Sequence, residues 1–186
     1  MKTKTIRLPK LHLIAQKDEG FREVLNHILV TKEHVVVSDA MKMVVVPTES
    51  IFSKELIDKF PDRFLIHWRQ WKMFHNCYNI NFQDDHFEVR YKKHSISFKI
   101  IYESELQESF PSWERVMKKD TKPKKIQEIG INPSYLKDVA DAMIPQYEYN
   151  RAVKVTFYGE TESIFVTPIE NPFNAEGIVM PVMINY

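Results

Sequence analysis

The residues that could do chemistry are few and scattered. Cys77 is the single cysteine, and His75 stands two positions before it. A thiol nucleophile needs a positioned base. No base is identifiable here, and the other reading of Cys77 is a buried structural thiol. His67 and His75 lie eight residues apart, which is not the i, i+4 spacing of a metal-binding helix, and no second cysteine exists to complete a zinc set. Asp84-Asp85 offers paired carboxylates, but acid–base work requires them to be buried and convergent. The pair reads as a hairpin turn, and His94-Ser95 as another. Only four glycines occur in 186 residues, and none belongs to a phosphate-cradling Gly-rich loop. No catalytic residue, metal or cofactor is therefore expected, and the chain reads as a non-enzyme.

The elements that would position any site are mostly strands. Leu11–Ala15 is a short apolar run, and residues 22–31 carry Val24, Ile28 and Val30 at even spacing. Val35–Val37 and Met43–Val46 are β-branched runs separated by Ser38-Asp39-Ala40. Phe87, Val89 and Tyr91 alternate with polar residues, as do Ile96, Phe98 and Ile100, then Val153, Val155 and Phe157. Ile164–Val166 and Ile178–Ile184 complete the set. Such period-two patterns mark strands with one buried face. Asn132 as N-cap and Pro133 at the first helical position open a helix whose apolar stripe is Leu136, Val139 and Met143, with Lys137, Asp138 and Asp141 mostly opposite, and Pro145 ends it. A second helix is predicted over His67–His75 and a short one over Lys54–Phe60. The stretch KKDTKPKK, Lys118–Lys125, is a basic linker or loop. The order suits an α+β fold, with helices on one face of antiparallel sheets.

Lys plus Arg number 26 against 25 Asp plus Glu, so overall charge announces no nucleic-acid partner, although a local basic surface would. The lone cysteine suits a reducing compartment. No apolar run is long enough to span a membrane, and Met1–Lys10 lacks the apolar core of a signal peptide. A cytoplasmic protein is expected.

Three segments, in order, resemble the bacterial DNA polymerase III beta sliding clamp. Arg22–Pro47 is similar to the family's strand–turn–strand, with Ser38-Asp39-Ala40-Met41-Lys42-Met43 standing where the family has T-D-G-H-R-L. The Asp matches, Lys replaces Arg, and the Gly and His are lost. Phe110–Met117, FPSWERVM, resembles the junction between the second and third clamp domains. IGINPSYLKDVADAM, starting at Ile129, and the terminal IVMPVMINY resemble the last part of the third domain, with Met180-Pro181 the most specific match.

The resemblance implies a DNA-clamp-like fold: a clamp-like domain over residues 1–118, made of two units of which the first lacks its helix, and a half-domain over 119–186 resembling the clamp C-terminus. It implies a pocket for partner peptides, such as the clamp-binding motifs of DNA polymerase, built from Ser38, Ala40, Met41, Lys42, Met43, Pro111, Arg115, Val116, Ile178, Val179, Met180, Pro181, Val182, Met183 and Ile184. Met183 stands at a family Arg, which makes the rim less polar. It also implies contact with double-stranded DNA, for which Arg69, Lys72 and Lys137 are the candidates. With about three units per chain, four copies would close a ring of about twelve, a homo-oligomer. A second reading stays open: a clamp-fold scaffold or accessory protein of a phage or mobile element that encircles no DNA.

Overall fold

The computed structural model describes residues 8–18, 22–75, 77, 79–91, 94–102, 104–117, 122–145, 148 and 150–184. The start of the charged N-terminal stretch (1–7) and of the basic linker (118–121) lies outside them.

Ten strands and five α-helices are present among the described residues. In chain order they are β1 (His27–Thr31), β2 (His34–Ser38), β3 (Lys42–Pro47), α1 (Lys54–Ile57), β4 (Arg63–His67), α2 (Trp68–Met73), β5 (Asn79–Gln83), β6 (His86–Tyr91) and β7 (His94–Lys99). Then follow α3 (Ser104–Glu108), α4 (Trp113–Met117), α5 (Pro133–Met143), β8 (Val153–Thr156), β9 (Ile164–Pro168) and β10 (Glu176–Val179). Seven strands form one antiparallel sheet in the order β4-β1-β2-β3-β10-β9-β8, and β5-β6-β7 form a second. The sheets touch where Leu65 and Ile101 exchange backbone hydrogen bonds of 3.1 and 3.0 Å. The α+β class and the antiparallel pairing are as the sequence predicts.

The large sheet is covered on both sides, which explains the near-continuous apolar runs of β1 to β3. Ile28, Val30, Val35, Val37, Val44 and Val46 point to one core, where α2 and α5 lie. Leu29, Val36, Met43, Val45, Leu65, Phe165 and Ile178 point to the other, which Phe110, Trp113 and Met117 help to close. The short helices α3 and α4, which the sequence reading leaves out, lie on that second side. Beneath the small sheet, Phe52, Phe60, Phe64, Phe74, Phe82, Phe87 and Phe98 form an aromatic cluster.

Strands from both sides of the basic linker share the large sheet, because β10 pairs with β3 in the register Ile178↔Met43 and Val179↔Lys42. Helix α5 covers the join. Its N-cap Asn132 accepts the Ser134 N–H, and Val139 and Met143 are fully buried, each worth roughly 1.5–3 kcal/mol. Gly177 of β10 lies directly under them: a Cβ there would sit 2.3 Å from Val139 Cγ1 and 3.1 Å from Met143 Cε.

Several local expectations are corrected. Leu11–Ala15 is no strand but a turn of 3-10 helix over Leu11–Leu13. Leu11, Ile14 and Ala15, at helical spacing, are buried there among α2 and α5. Pro9 O accepts Trp71 Nε1–H at 3.0 Å, and Lys10 N–H reaches Ala142 O at 2.8 Å. The strand expected from Arg22 begins only at His27, after a 3-10 turn over Glu23–Asn26. His94 and Ser95 open β7 instead of forming a turn. The strand expected over Ile178–Ile184 stops at Val179, since Pro181 offers no N–H to continue the ladder. The helix over His67–His75 is confirmed as α2, with His67 as its cap: its Nδ1 accepts the Arg69 N–H.

His12 and His75 meet edge to face, with ring centroids 5.1 Å apart, between the 3-10 turn and the end of α2. Burial lowers both to about 4, His12 with help from His75, Lys72, Lys10 and Lys17, and His75 with help from Lys10. Both are neutral in the fold but protonate near 6.5 when unfolded, so the unfolded chain takes up more protons as pH falls from 6.5 toward 4. Stability should fall by about 2 kcal/mol between about pH 7.5 and about pH 5, halved from the full linkage for partial exposure, and His75→Gln should flatten the slope. Urea unfolding at the two pH values checks this; equal slopes in the two proteins would contradict it. Gly177→Ala should lower stability by about 1–3 kcal/mol by wedging α5 off the sheet, read as a shifted urea midpoint.

Candidate partner-binding site and helix face

The turn from Ser38 to Met43 is held by its own side chains. Ser38 Oγ accepts the Ala40 N–H and donates to Lys42 O, both at 3.1 Å. Asp39 Oδ1 accepts the N–H groups of Met41 at 2.9 Å and Lys42 at 2.8 Å. Ala40 sits at φ 75°, the left-handed region where the resembling family has Gly, at a cost of about 1 kcal/mol. Met41 is thereby turned outward and is 50% exposed.

Lys42 does not reach solvent. It is buried, with Nζ 2.5 Å from Asp39 Oδ2, 3.4 Å from Asp138 Oδ2 on α5, and 5.0 Å above the Tyr135 ring centroid. Asp138, predicted on the outward side of the helix, faces this ammonium. Met43, Ile178 and Val179 are buried in the strands, so they support the site from beneath.

The C-terminal segment runs on from this turn. Met180 N–H donates to Met41 O at 2.8 Å, and Val182 N–H to Gly130 O at 2.8 Å. Gly130 is required by that approach, since a Cβ would lie 2.4 Å from Val182 O. Met180 is half-buried, its Sδ 3.4 Å from Ser163 Oγ, and Pro181 is half-buried too. Val182, Met183 and Ile184 are exposed and line a cleft of about 310 Å³ with Gln127–Gly130, Glu160 and Thr161. Sequence reasoning did not assign the far wall, residues 127–130 and 160–161, to the site; most of it is polar, and Ile129-Gly130 entered only as the start of a resembling segment.

The third segment joins through the second core. Phe110, Trp113 and Met117 pack in the cluster that holds Met43 and Ile178, and Trp113 lies against His34 at 4.9 Å. Pro111 is half-buried there, while Arg115 and Val116 are exposed on α4. Residues 38–43 and 178–184 thus touch directly, and 111–116 shares their core. Five of the eight large apolar side chains exposed among the described residues, Met41, Val116, Val182, Met183 and Ile184, belong to these three segments; Ile96, Tyr102 and Ile169 lie elsewhere.

The candidate cations lie on the helices α2 and α5. Arg69 and Lys72 are exposed on α2, Arg69 with its guanidinium 5.2 Å from the Trp68 ring centroid. Lys137 is exposed on α5 and paired with Asp141 at 2.7 Å; Arg151 meets the same carboxylate at 2.5 Å. Burial works to raise the Asp141 carboxyl, but Lys137 and Arg151 outweigh it and hold it low. Lys10 and Lys17, which act on His12 together with Lys72, add charge beside the 3-10 turn. The sequence reading passed over them because they flank a run taken for a strand.

Cys77 is buried, and burial pushes its thiol up to about 11, far from a reactive thiolate. Among the described residues no group of three or more His, Cys, Asp or Glu could hold a metal ion, and no helix is long and apolar enough to cross a membrane.

No protein-family model and no curated protein matches the chain in sequence. Solved structures do match. The DNA polymerase III subunit beta of Borrelia burgdorferi superposes over 95% of this chain and 59% of its own, with a TM-score of 0.65 at 14% identity. The beta subunit of Thermotoga maritima gives 0.61 over 95% of this chain and 63% of its own at 12% identity. That of Pseudomonas aeruginosa gives 0.61 over 99% and 68% at 14% identity. The chain therefore spans roughly six-tenths of the length of the first two relatives. Its architecture is that of the bacterial DNA polymerase III beta sliding clamp.

Proposed function

We propose that the chain is a sliding-clamp-like, non-enzymatic protein of the cytoplasm that binds partner peptides in replication or repair. The observation that carries this reading is the outward apolar set Met41, Val116, Val182, Met183 and Ile184. Its members come from three segments distant in sequence and resemble the family's peptide-binding positions. An extended peptide with apolar anchors suits such a surface: methionines adapt their shape, and the cleft beside Val182 and Met183 offers a polar wall. The clamp-like domain over 1–118 and the half-domain over 119–186 would form the two sides of the site, as the pairing of β3 with β10 supports.

Double-stranded DNA is the second proposed partner, met through the helix side by Arg69, Lys72 and Lys137, with Lys10 and Lys17 beside them. The reading as a clamp-fold scaffold that encircles no DNA has one observation in its favour: Lys137 and Arg151 are both tied to Asp141. Self-assembly into a ring of four copies is part of the proposal, and light scattering that gives a clean monomer at micromolar concentration would remove it.

A fluorescent peptide of the Q-x-x-L-F type carried by clamp partners tests the main reading. Saturable binding to wild type should be lost in Met183→Asp, a change at a 72% exposed side chain that leaves the core alone. No saturable binding by folded wild type would refute the peptide function.

A further inference from the structure

Lys42 is the one lysine among the buried polar residues of the described chain, and its two carboxylate partners belong to elements far apart in sequence. Asp39 comes from the turn that displays Met41, and Asp138 from α5. A buried ammonium is tolerated only while it is paired. Here the pairing, together with the Tyr135 ring, sets where the turn stands relative to the helix. The same turn hands its Met41 carbonyl to Met180, so the position of the turn is passed to the C-terminal segment. At this position the resembling family has an arginine, and an ammonium with three donors can serve Asp39 and Asp138 together.

We infer that Lys42 and Asp138 form a latch that positions the peptide site: by fixing the turn to α5 they set the pose of Met41 and the Met180–Ile184 segment, and peptide affinity depends on them although neither touches the peptide. This rests on the peptide-binding reading above. Lys42 is a positioning residue and contributes no contact of its own. Asp138→Asn removes one of its two anions and keeps the side chain's size, so the ammonium stays paired with Asp39 but is released from the helix.

The test combines peptide titration with hydrogen exchange. For the Q-x-x-L-F peptide, Asp138→Asn and Lys42→Met should weaken binding about tenfold, while Asp138→Glu, which restores the anion, should stay within about threefold of wild type. In wild type, the amides of Met41 and Lys42 should open with the same free energy as those of Val139 and Ala140 in α5. A folded Asp138→Asn protein that binds within about twofold of wild type would overturn the latch. So would turn amides that open independently of α5, and this arm decides if the variants fail to fold. If wild type binds no peptide, the peptide reading falls, and the exchange measurement alone judges the latch.

Discussion

The pairing of β10 with β3 is the constraint on which the remaining structure depends. It joins residues some 130 positions apart into one sheet, opposing Ile178 to Met43 and Val179 to Lys42. Alternation then sends Ile178 to the core closed by Phe110 and Trp113, and Val179 to the core under α5. Without that register the two apolar cores would not be shared, and Met41 would have no neighbour in Met180. The absence of a side chain at Gly177 lets α5 settle onto the join, and the absence of one at Gly130 lets the chain continue past Val182.

A second consequence concerns the N-terminal unit. There the turn around Leu11 packs with α5 on one side and α2 on the other. Leu11 and Ile14 are completely buried, so this short segment contributes to the core. The same compaction brings His12 onto His75 with Lys10, Lys17 and Lys72 around them, concentrating positive charge on the helix side. The helix side of the large sheet thus gathers the cations of α2, α5 and the 3-10 turn.

Much of this was legible in the sequence. The strand runs, the capped helix after Asn132 and the short helix over Trp68 follow from periodicity and capping, and the three resembling segments led to the clamp architecture. What periodicity could not show was decided by tertiary contact. Leu11–Ala15 is apolar enough for either a strand or a turn of helix, and packing against two helices selects the turn. The resemblance puts Lys42 among the pocket positions at a strand entrance, and only the approach of Asp138 from α5 shows that it is buried. The mostly polar wall at 127–130 and 160–161 could not be assigned to the site from the sequence, because its place depends on where the C-terminal segment comes to rest.

The central claim is that the C-terminal unit completes the N-terminal sheet in one register. Nuclear Overhauser contacts between the backbones of β3 and β10 test it most directly. The account predicts cross-strand contacts between Met43 and Ile178 and between Val45 and Glu176. Their absence, or a set displaced by one residue that turns Ile178 toward α5, would contradict it.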